Sequence, residues 1–200
     1  MTIMFHEGNR QLQDQFDSRR IADRLEEKLT RQAFTEGDRS LIEALPFFFL
    51  ATSDDRGRAD CSFKGGLPGF VRVTGASELA FPDYDGNGMF KSLGNILVNP
   101  EVGLLFIDMG EKPRRLRVNG RATVLRDDPL MQKFAGAQLL VRVAVRAIFP
   151  NCPRYVTTPG VAEPSKYAPR PGYEPPEPAW KGFDDFKDYV HPRQKTPDGA

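Results

Sequence analysis

The sequence LAFPDYDGNGMFKSLGNILVNPEVGLLFIDM, residues 79–109, outlines the predicted architecture. It begins with a short apolar run that is typical of a strand and continues through the turn PDYDGNG, whose acids and glycines favour a loop. A helical pattern follows over residues 89–98, and Asn-Pro at 99–100 ends it. The apolar run at 104–108 indicates another strand. The segment therefore predicts a helix that crosses between two strands.

The predicted helix has an apolar face and a start suited to anions. Four apolar residues are expected on its buried face, namely Met89, Leu93, Ile96 and Leu97. Asn87 is the predicted N-cap, and Lys91 and Ser92 fall in the first turn. Unpaired backbone amides and the positive end of the helix dipole favour a phosphate there. Lys91 and Ser92 are therefore candidate binding residues.

Short strands at hairpin spacing flank this segment on both sides. They are predicted in FFFLAT, RADCSF, FVRV and ELAFP before the helix, and in LLFID, 115–124 and 138–149 after it. Residues 115–124 show the clearest two-residue period, with Arg115 and Arg117 on the face opposite the apolar row. Six or seven such strands predict a mainly β, α+β fold, as an antiparallel barrel or sandwich. With the crossing helix, we expect a small barrel.

The chain divides into three predicted parts. Residues 1–45 carry helical patterns with a break near Asp17 and Ser18, and they are expected to pack on the barrel. Residues 46–150 are expected to form the barrel itself. Residues 151–200 are expected to form an extended arm, because 11 of the 17 prolines lie at or after position 150.

The composition disfavours several classes of partner and site. A formal net charge of +1 gives no field to attract nucleic acid or an anionic membrane. Two cysteines, Cys61 and Cys152, and two histidines are too scattered to favour a metal site. The sequence shows no leader pattern and no apolar run of about 18 residues that would predict a membrane span. We therefore expect a cytoplasmic protein with reduced thiols.

Other basic residues extend the predicted anion site. Lys64 follows a predicted strand and precedes Gly65 and Gly66, which would let a ligand approach the backbone closely. Arg115 and Arg117 are further candidates for binding a phosphate-bearing cofactor, although each charge alone also suits a solvated surface. The sequence contains no nucleophile elbow, P-loop or dinucleotide fingerprint, so any catalysis is expected to come from a bound cofactor.

The order of these motifs resembles a known family. Residues 79–109 followed by RRLRVNGRATVL at 114–125 resemble the pyridoxamine 5'-phosphate oxidase-like family of FMN-binding split barrels, over residues 40–150. A bacterial subgroup of that family is similar in carrying SFKGG, PGFVRV, PDYDGNG and NCPRY in this order. The resemblance implies a split β-barrel, FMN as the cofactor, and a homodimer with its FMN sites at the interface.

The resemblance also implies which residues bind the flavin. Lys91 and Ser92 correspond to the basic pair that holds the FMN phosphate. The flavin ring is lined by a strand that corresponds to Cys61, Ser62, Phe63 and Lys64. A backbone contact to the ring corresponds to Phe81 and Pro82, and a side chain supplied by the partner subunit corresponds to Arg115.

The implied function is that of an FMN-dependent oxidoreductase acting on an unidentified small molecule. The flavin would exchange a hydride, and Lys64 or Arg115 would stabilise negative charge on the reduced ring. Oxidation of pyridoxamine phosphate itself is not implied, because the C-terminal Arg-x-His element of true family oxidases is missing and His191 lies in HPRQK. The alternatives are a non-catalytic flavin carrier or sensor, and a binder of haem or a deazaflavin on the same fold.

Overall fold

The computed structural model describes residues 2, 4–110, 112–156 and 176–190. They contain four α-helices, which are α1 (Glu7–Gln15), α2 (Arg19–Leu29), α3 (Glu36–Ala44) and α4 (Lys91–Val98). The seven strands are β1 (Phe47–Ser53), β2 (Ala59–Gly65), β3 (Arg72–Gly75), β4 (Glu78–Tyr84), β5 (Glu101–Asp108), β6 (Arg114–Leu125) and β7 (Ala137–Asn151). Short 3-10 helices lie at Pro129–Lys133 and Ala179–Gly182.

These residues divide into two compact units. The first unit contains α1, α2 and the C-terminal segment 176–190. The Arg24 Nε donates a hydrogen bond to the Asp185 carbonyl at 2.9 Å, and the Arg24 guanidinium lies 5.1 Å from the centre of the Tyr189 ring. The second unit, described over residues 31–156, holds α3, α4 and all seven strands.

The seven strands form one antiparallel sheet in the order β2-β1-β5-β6-β7-β4-β3. Three strands separate β1 from β4 in that order, yet the Phe48 ring of β1 lies 4.9 Å from the Phe81 ring of β4. Phe106 and Phe70 pack on the same Phe48 ring, with centroids at 5.3 and 5.9 Å. The sheet is therefore curled around an aromatic core, and the predicted α+β antiparallel split barrel is confirmed.

The alternation predicted for residues 115–124 is also confirmed. Leu116 and Val118 on β6 are buried in the core, while Arg117 is exposed on the opposite face. A residue pointing inward on β6 therefore lies beside residues that point inward on β5 and β7, because antiparallel neighbours share a face. The same rule fixes the faces of β1 and β2, which border the candidate site.

Some sequence predictions concern the ends of the chain. The break near Asp17 and Ser18 is confirmed, since α1 and α2 are separate helices and Asp17 has a φ of 46°. The packing of residues 1–45 as a whole on the barrel stays a prediction, although Leu41 and Ile42 of α3 lie in the barrel core. Of the predicted arm, residues 157–175 and 191–200 lie outside the described residues. Within the described part of the chain, no helix has the length and apolar character needed to cross a bilayer.

Candidate functional site

The helix that crosses the barrel starts later than the sequence predicts. The predicted N-cap, Asn87, instead uses its side-chain oxygen to accept a hydrogen bond from the Met89 amide at 3.0 Å, in a turn before the helix. Gly88 follows with a φ of 72°, and α4 begins only at Lys91. The residue at the N-cap is Phe90, with a φ of 47° and no side-chain hydrogen bond to the helix. The local Asx turn therefore displaces the start of the helix.

The buried face of α4 also differs from the prediction. Leu93 and Ile96 are buried as expected, but Met89 and Leu97 are 71% and 72% exposed. Met89 precedes the helix, and the face that packs on the barrel includes two polar residues, Ser92 and Asn95, rather than Leu97. These polar residues are buried because the barrel supplies hydrogen-bond partners. The Asn95 amide donates to Thr52 Oγ1 at 3.0 Å.

The start of α4 concentrates hydrogen-bond donors at one point. The Gly94 amide donates to the Phe90 carbonyl at 2.7 Å, so the amides of Lys91, Ser92 and Leu93 precede the first intrahelical bond. The Ser92 hydroxyl lies 2.8 Å from the Ser62 hydroxyl of β2. Lys91 adds an exposed ammonium group. An anion at this position would meet amides, hydroxyls and a positive charge together.

A cleft of about 650 Å³ opens next to this helix start. Its walls are β2, the end of β4, the loop 85–90 and the first turn of α4. Six of the predicted site residues line it, namely Cys61, Ser62, Phe63, Lys64, Lys91 and Ser92. The volume is within the usual range of ligand pockets, about 300–1,000 Å³.

The four β2 residues of that group do not share one face. Ser62 and Lys64 pair with Leu50 and Phe48 of β1, whose side chains point into the barrel. Cys61 and Phe63 alternate with them and are exposed on the opposite face of the sheet. Ser62 and Lys64 are therefore directed toward the barrel interior, as is Asp60, which pairs with the buried Thr52 and also lines the cleft.

The glycines that follow Lys64 pack closely against aromatic side chains. A Cβ at Gly66 would lie 2.8 Å from the Cβ of Phe70, and a Cβ at Gly65 would lie 2.7 Å from the ring of Phe63. Real side chains do not approach this closely, so both positions make room for aromatic neighbours. That these glycines let a ligand approach the backbone stays a prediction, and neither of them lines the cleft.

The other predicted residues lie outside this cleft. Phe81 and Pro82 are buried, and Phe81 belongs to the aromatic core. Arg115 and Arg117 lie on β6, on the outer face of the sheet. The Arg115 Nη2 donates to the carbonyl of Cys152, and its buried Nε has no hydrogen-bond partner among the residues that the structure describes. The implied contribution of Arg115 to a site in a partner subunit stays a prediction.

Two residues that follow Phe81 and Pro82 line the cleft and were not among the predicted site residues. Burial raises the pKa of the Asp83 carboxyl, and the charge of Lys64 lowers that pKa in part. Burial likewise raises the pKa of the Tyr84 hydroxyl. The sequence signal was the unusual turn PDYDGNG, but nothing in its spacing showed which of its acids would face a cleft.

Comparison with known proteins places the barrel in a family. Residues 34–156, more than half of the chain, match the sequence pattern described as pyridoxamine 5'-phosphate oxidase. The chain belongs to this family. The match to the oxidase family spans α3, α4 and all seven strands, and so includes every wall of the cleft. No curated protein matches the sequence significantly.

This oxidase-family chain is also similar to solved structures at low sequence identity. HupZ from Group A Streptococcus is 18% identical with a TM-score of 0.47, and the match covers 58% of this chain and 93% of that one. An FMN-binding protein from Syntrophomonas wolfei is 12% identical with a TM-score of 0.46, covering 73% and 96%. The haem storage protein HutZ from Vibrio cholerae is 18% identical with a TM-score of 0.42, covering 55% and 89%.

Proposed function

We propose that this protein binds FMN in the cleft beside α4 and acts as an FMN-dependent oxidoreductase on a small molecule. One observation carries the proposal: the start of α4 has no side-chain cap, and it points free amides, Lys91 and the Ser62–Ser92 hydroxyl pair at the cleft. Family membership supports the same assignment, because the family is named for a flavin-linked activity on a phosphorylated substrate.

The residues at the start of α4 fit a phosphate group. Three amides precede the first intrahelical bond, and an anion at a helix N-terminus is favoured by the helix dipole. The hydroxyls of Ser62 and Ser92 can each turn a proton toward an oxygen of the phosphate while they remain neighbours. The Lys91 ammonium supplies charge at the exposed side of the same point. These groups would hold the phosphate of FMN.

The rest of the cleft fits a planar, partly polar group. Met89 and Phe90 border it with exposed apolar surface, and Ser62 and Lys64 supply polar atoms from β2. FMN, when bound, supplies hydride-transfer chemistry that no side chain of this cleft offers. Lys64 would stabilise negative charge on the ring, because its ammonium faces the same cleft and is directed to the barrel interior.

We also propose that the outer face of β1 and β2 meets a second copy of the chain. The Phe47 and Phe63 rings stack there at 5.3 Å, and Phe63 is 62% exposed. The register of β5 and β6 places Leu105 beside Arg117 on this same face. An apolar patch of aromatic rings around a charged side chain is typical of an interface between protein chains. A homodimer would also bring Arg115 of one copy toward its partner.

Titration of the purified protein with FMN tests the flavin site, with the quenching of flavin fluorescence as the readout. The double variant Lys91→Ala/Ser92→Ala is expected to bind FMN about 100-fold more weakly, because it loses two hydrogen bonds to a charged group. Thr35→Ala is the matched control, since the Thr35 hydroxyl caps α3 by accepting from the Asp38 amide and does not line the cleft. We expect Thr35→Ala to keep the affinity of the wild type.

The possible results separate the parts of the proposal. A wild-type protein that does not bind FMN would rule out the flavin site. Bound FMN that is not reduced by NAD(P)H or by a panel of small reductants would favour a flavin carrier over an oxidoreductase. Light scattering on the same sample gives the mass in solution, and a monomer would rule out the proposed homodimer.

A further inference from the structure

Two oppositely charged side chains line the cleft without direct partners. Lys64 lies on β2 and Asp83 lies at the end of β4, and both are half-buried. Among the described residues, neither side chain makes a hydrogen bond or an ion pair closer than the 4.0 Å limit of a salt bridge. By contrast, the partly buried Arg142 is bound by both Asp128 and Glu78. Within the described part of the chain, Asp60 and Lys91 of the same cleft likewise lack such a partner, so the cleft holds several charges that a ligand could meet.

Lys64 and Asp83 are close enough to interact electrostatically. The charge of Lys64 lowers the pKa of Asp83 in part, against the larger effect of burial, which raises it. A half-buried charge that lacks a hydrogen-bond partner is costly, and such groups in native structures usually have a functional explanation. Both groups face the same opening, so a ligand can satisfy both at once.

The chemistry of the pair defines what it can bind. An ammonium group only donates hydrogen bonds, and a carboxylate only accepts them. A simple anion would be repelled by Asp83, and a simple cation would be repelled by Lys64. A group with a carbonyl oxygen next to an N–H satisfies both, because the oxygen accepts from Lys64 while the N–H donates to Asp83. Such an edge is found on cyclic amides and imides.

The position of Lys64 along β2 separates the pair from the phosphate subsite. Ser62, in the phosphate subsite, and Lys64 are two residues apart on one face of β2, which is about 7 Å along a strand. The isoalloxazine ring carries an imide in its pyrimidine part, at the end of the ring system opposite its benzene part. We propose that Lys64 and Asp83 form a subsite that recognises this imide edge. The inference rests on the proposed function, since it assigns the second end of the same ligand.

A comparison of FMN with N3-methyl-FMN tests the subsite. The methyl group replaces the hydrogen on N3, so this nitrogen can no longer donate a hydrogen bond to Asp83. Fluorescence-quenching titrations of the full chain give both dissociation constants. We expect the wild type to bind N3-methyl-FMN about 10-fold more weakly than FMN, the loss typical of a hydrogen bond to a charged group. In Asp83→Leu, the two ligands should bind within about twofold of each other.

Asp83→Leu also separates a hydrogen bond from a steric effect. Leucine has the branched shape of aspartate but is larger and accepts no hydrogen bond, so a purely steric rejection of the methyl group would persist or increase in this variant. Lys64→Met should weaken both ligands about 10-fold while the ratio between them stays. Asp85→Leu is the matched control, since Asp85 lines the same cleft and its carboxylate is bound by Gln138 at 3.3 Å. We expect Asp85→Leu to change neither affinity beyond about twofold.

The outcomes distinguish the subsite from the flavin site. If FMN binds and the wild type does not discriminate against N3-methyl-FMN, the subsite is wrong and the flavin site stands. If the discrimination is unchanged in Asp83→Leu, the subsite is also wrong. If FMN does not bind to the wild type, the proposed function and the subsite both fall. Thermal unfolding of each variant shows that the protein titrated is folded.

Discussion

Helices α3 and α4 begin in opposite ways, although both pack on the same barrel. At the start of α3, the Thr35 hydroxyl accepts from the Asp38 amide at 3.1 Å, and the Asp38 carboxylate accepts from the Thr35 amide at 2.9 Å. Arg31 closes the arrangement by donating to the same carboxylate at 2.8 and 3.2 Å. The start of α4 has Phe90 in a left-handed conformation and no side-chain cap.

The difference distinguishes a helix start that stabilises the fold from one whose backbone donors are available to a ligand. A good N-cap stabilises a helix by about 1 kcal/mol, and a non-glycine residue in the left-handed region costs about 1–2 kcal/mol. The chain uses the stabilising arrangement at α3 and forgoes it at α4, where the unused amides face a cleft. Backbone amides that are free to donate hydrogen bonds beside a cleft favour the binding of an anionic ligand.

The largest effect is expected when the start of α3 is broken. Asp38→Ala removes a buried carboxylate that accepts from the Thr35 amide and from Arg31, and it leaves the Arg31 guanidinium unpaired. We expect the free energy of unfolding to fall by about 2–3 kcal/mol, measured by urea denaturation. Asp38→Asn keeps an acceptor for the Thr35 amide and should lose less.

The affinity for FMN is the second measurement on the Asp38 variants. Both should bind FMN as the wild type does at temperatures where they are folded, because α3 contributes no residue to the cleft. A loss of FMN affinity in folded Asp38→Ala would contradict the separation of roles between the two helices.

A smaller effect is expected from relaxing the start of α4. Phe90→Gly and Phe90→Ala both remove the ring, so the difference between them reports on the backbone alone. Since φ is 47° at this position, we expect the glycine variant to be more stable than the alanine variant by about 1 kcal/mol, measured by urea denaturation.

The exposed position Ser40, inside α3, gives the matched comparison. There the order should reverse, with Ser40→Gly less stable than Ser40→Ala by about 1 kcal/mol, as at ordinary helical positions. The same order at both positions would mean that Phe90 is not strained.

The smallest effect concerns the pH dependence of stability at the mouth of the cleft. Burial raises the pKa of Asp83 above its ordinary value of 3.8 in the folded protein. The folded protein then binds more protons here than the unfolded chain, so this group's contribution to stability falls as the pH rises from 3.8 through the folded pKa. Asp83→Asn lacks this ionising group. Its stability relative to the wild type should therefore increase as the pH rises over this interval, and the difference should persist at neutral pH.

Asp128 provides a comparison of opposite sign. Hydrogen bonds from Arg142 and from the Leu130 amide lower the pKa of the Asp128 carboxyl below 3.8. Its stabilising contribution is present above that value and is lost as the pH falls through the folded pKa. Asp128→Asn should therefore be less stable than the wild type at neutral pH, and the difference should shrink in acid. Denaturation curves between pH 3 and pH 7 would measure the stability of both variants relative to the wild type. If both differences changed in the same direction with pH, the opposite pKa shifts of Asp83 and Asp128 would be contradicted.

Much of the fold follows from neighbouring residues in the sequence. The alternation of Arg115 and Arg117 with Leu116 and Val118 already places each side chain on its face, because a strand repeats every two residues. The start of α4 was harder to predict. Asn87 is a good N-cap by residue type, but its side chain serves the turn before the helix, and that competition between two local uses has no signature in residue type alone.

The sequence by itself determined the antiparallel strands, the crossing helix and the placement of Lys91 and Ser92 in its first turn. These features depend on residue periodicity and turn chemistry, which act between residues close in the chain. Only the tertiary structure brought Ser62 against Ser92 and placed Lys64 near Asp83. Both contacts depend on the curl of a sheet in which four strands lie between β2 and β4, and no local spacing encodes that curl.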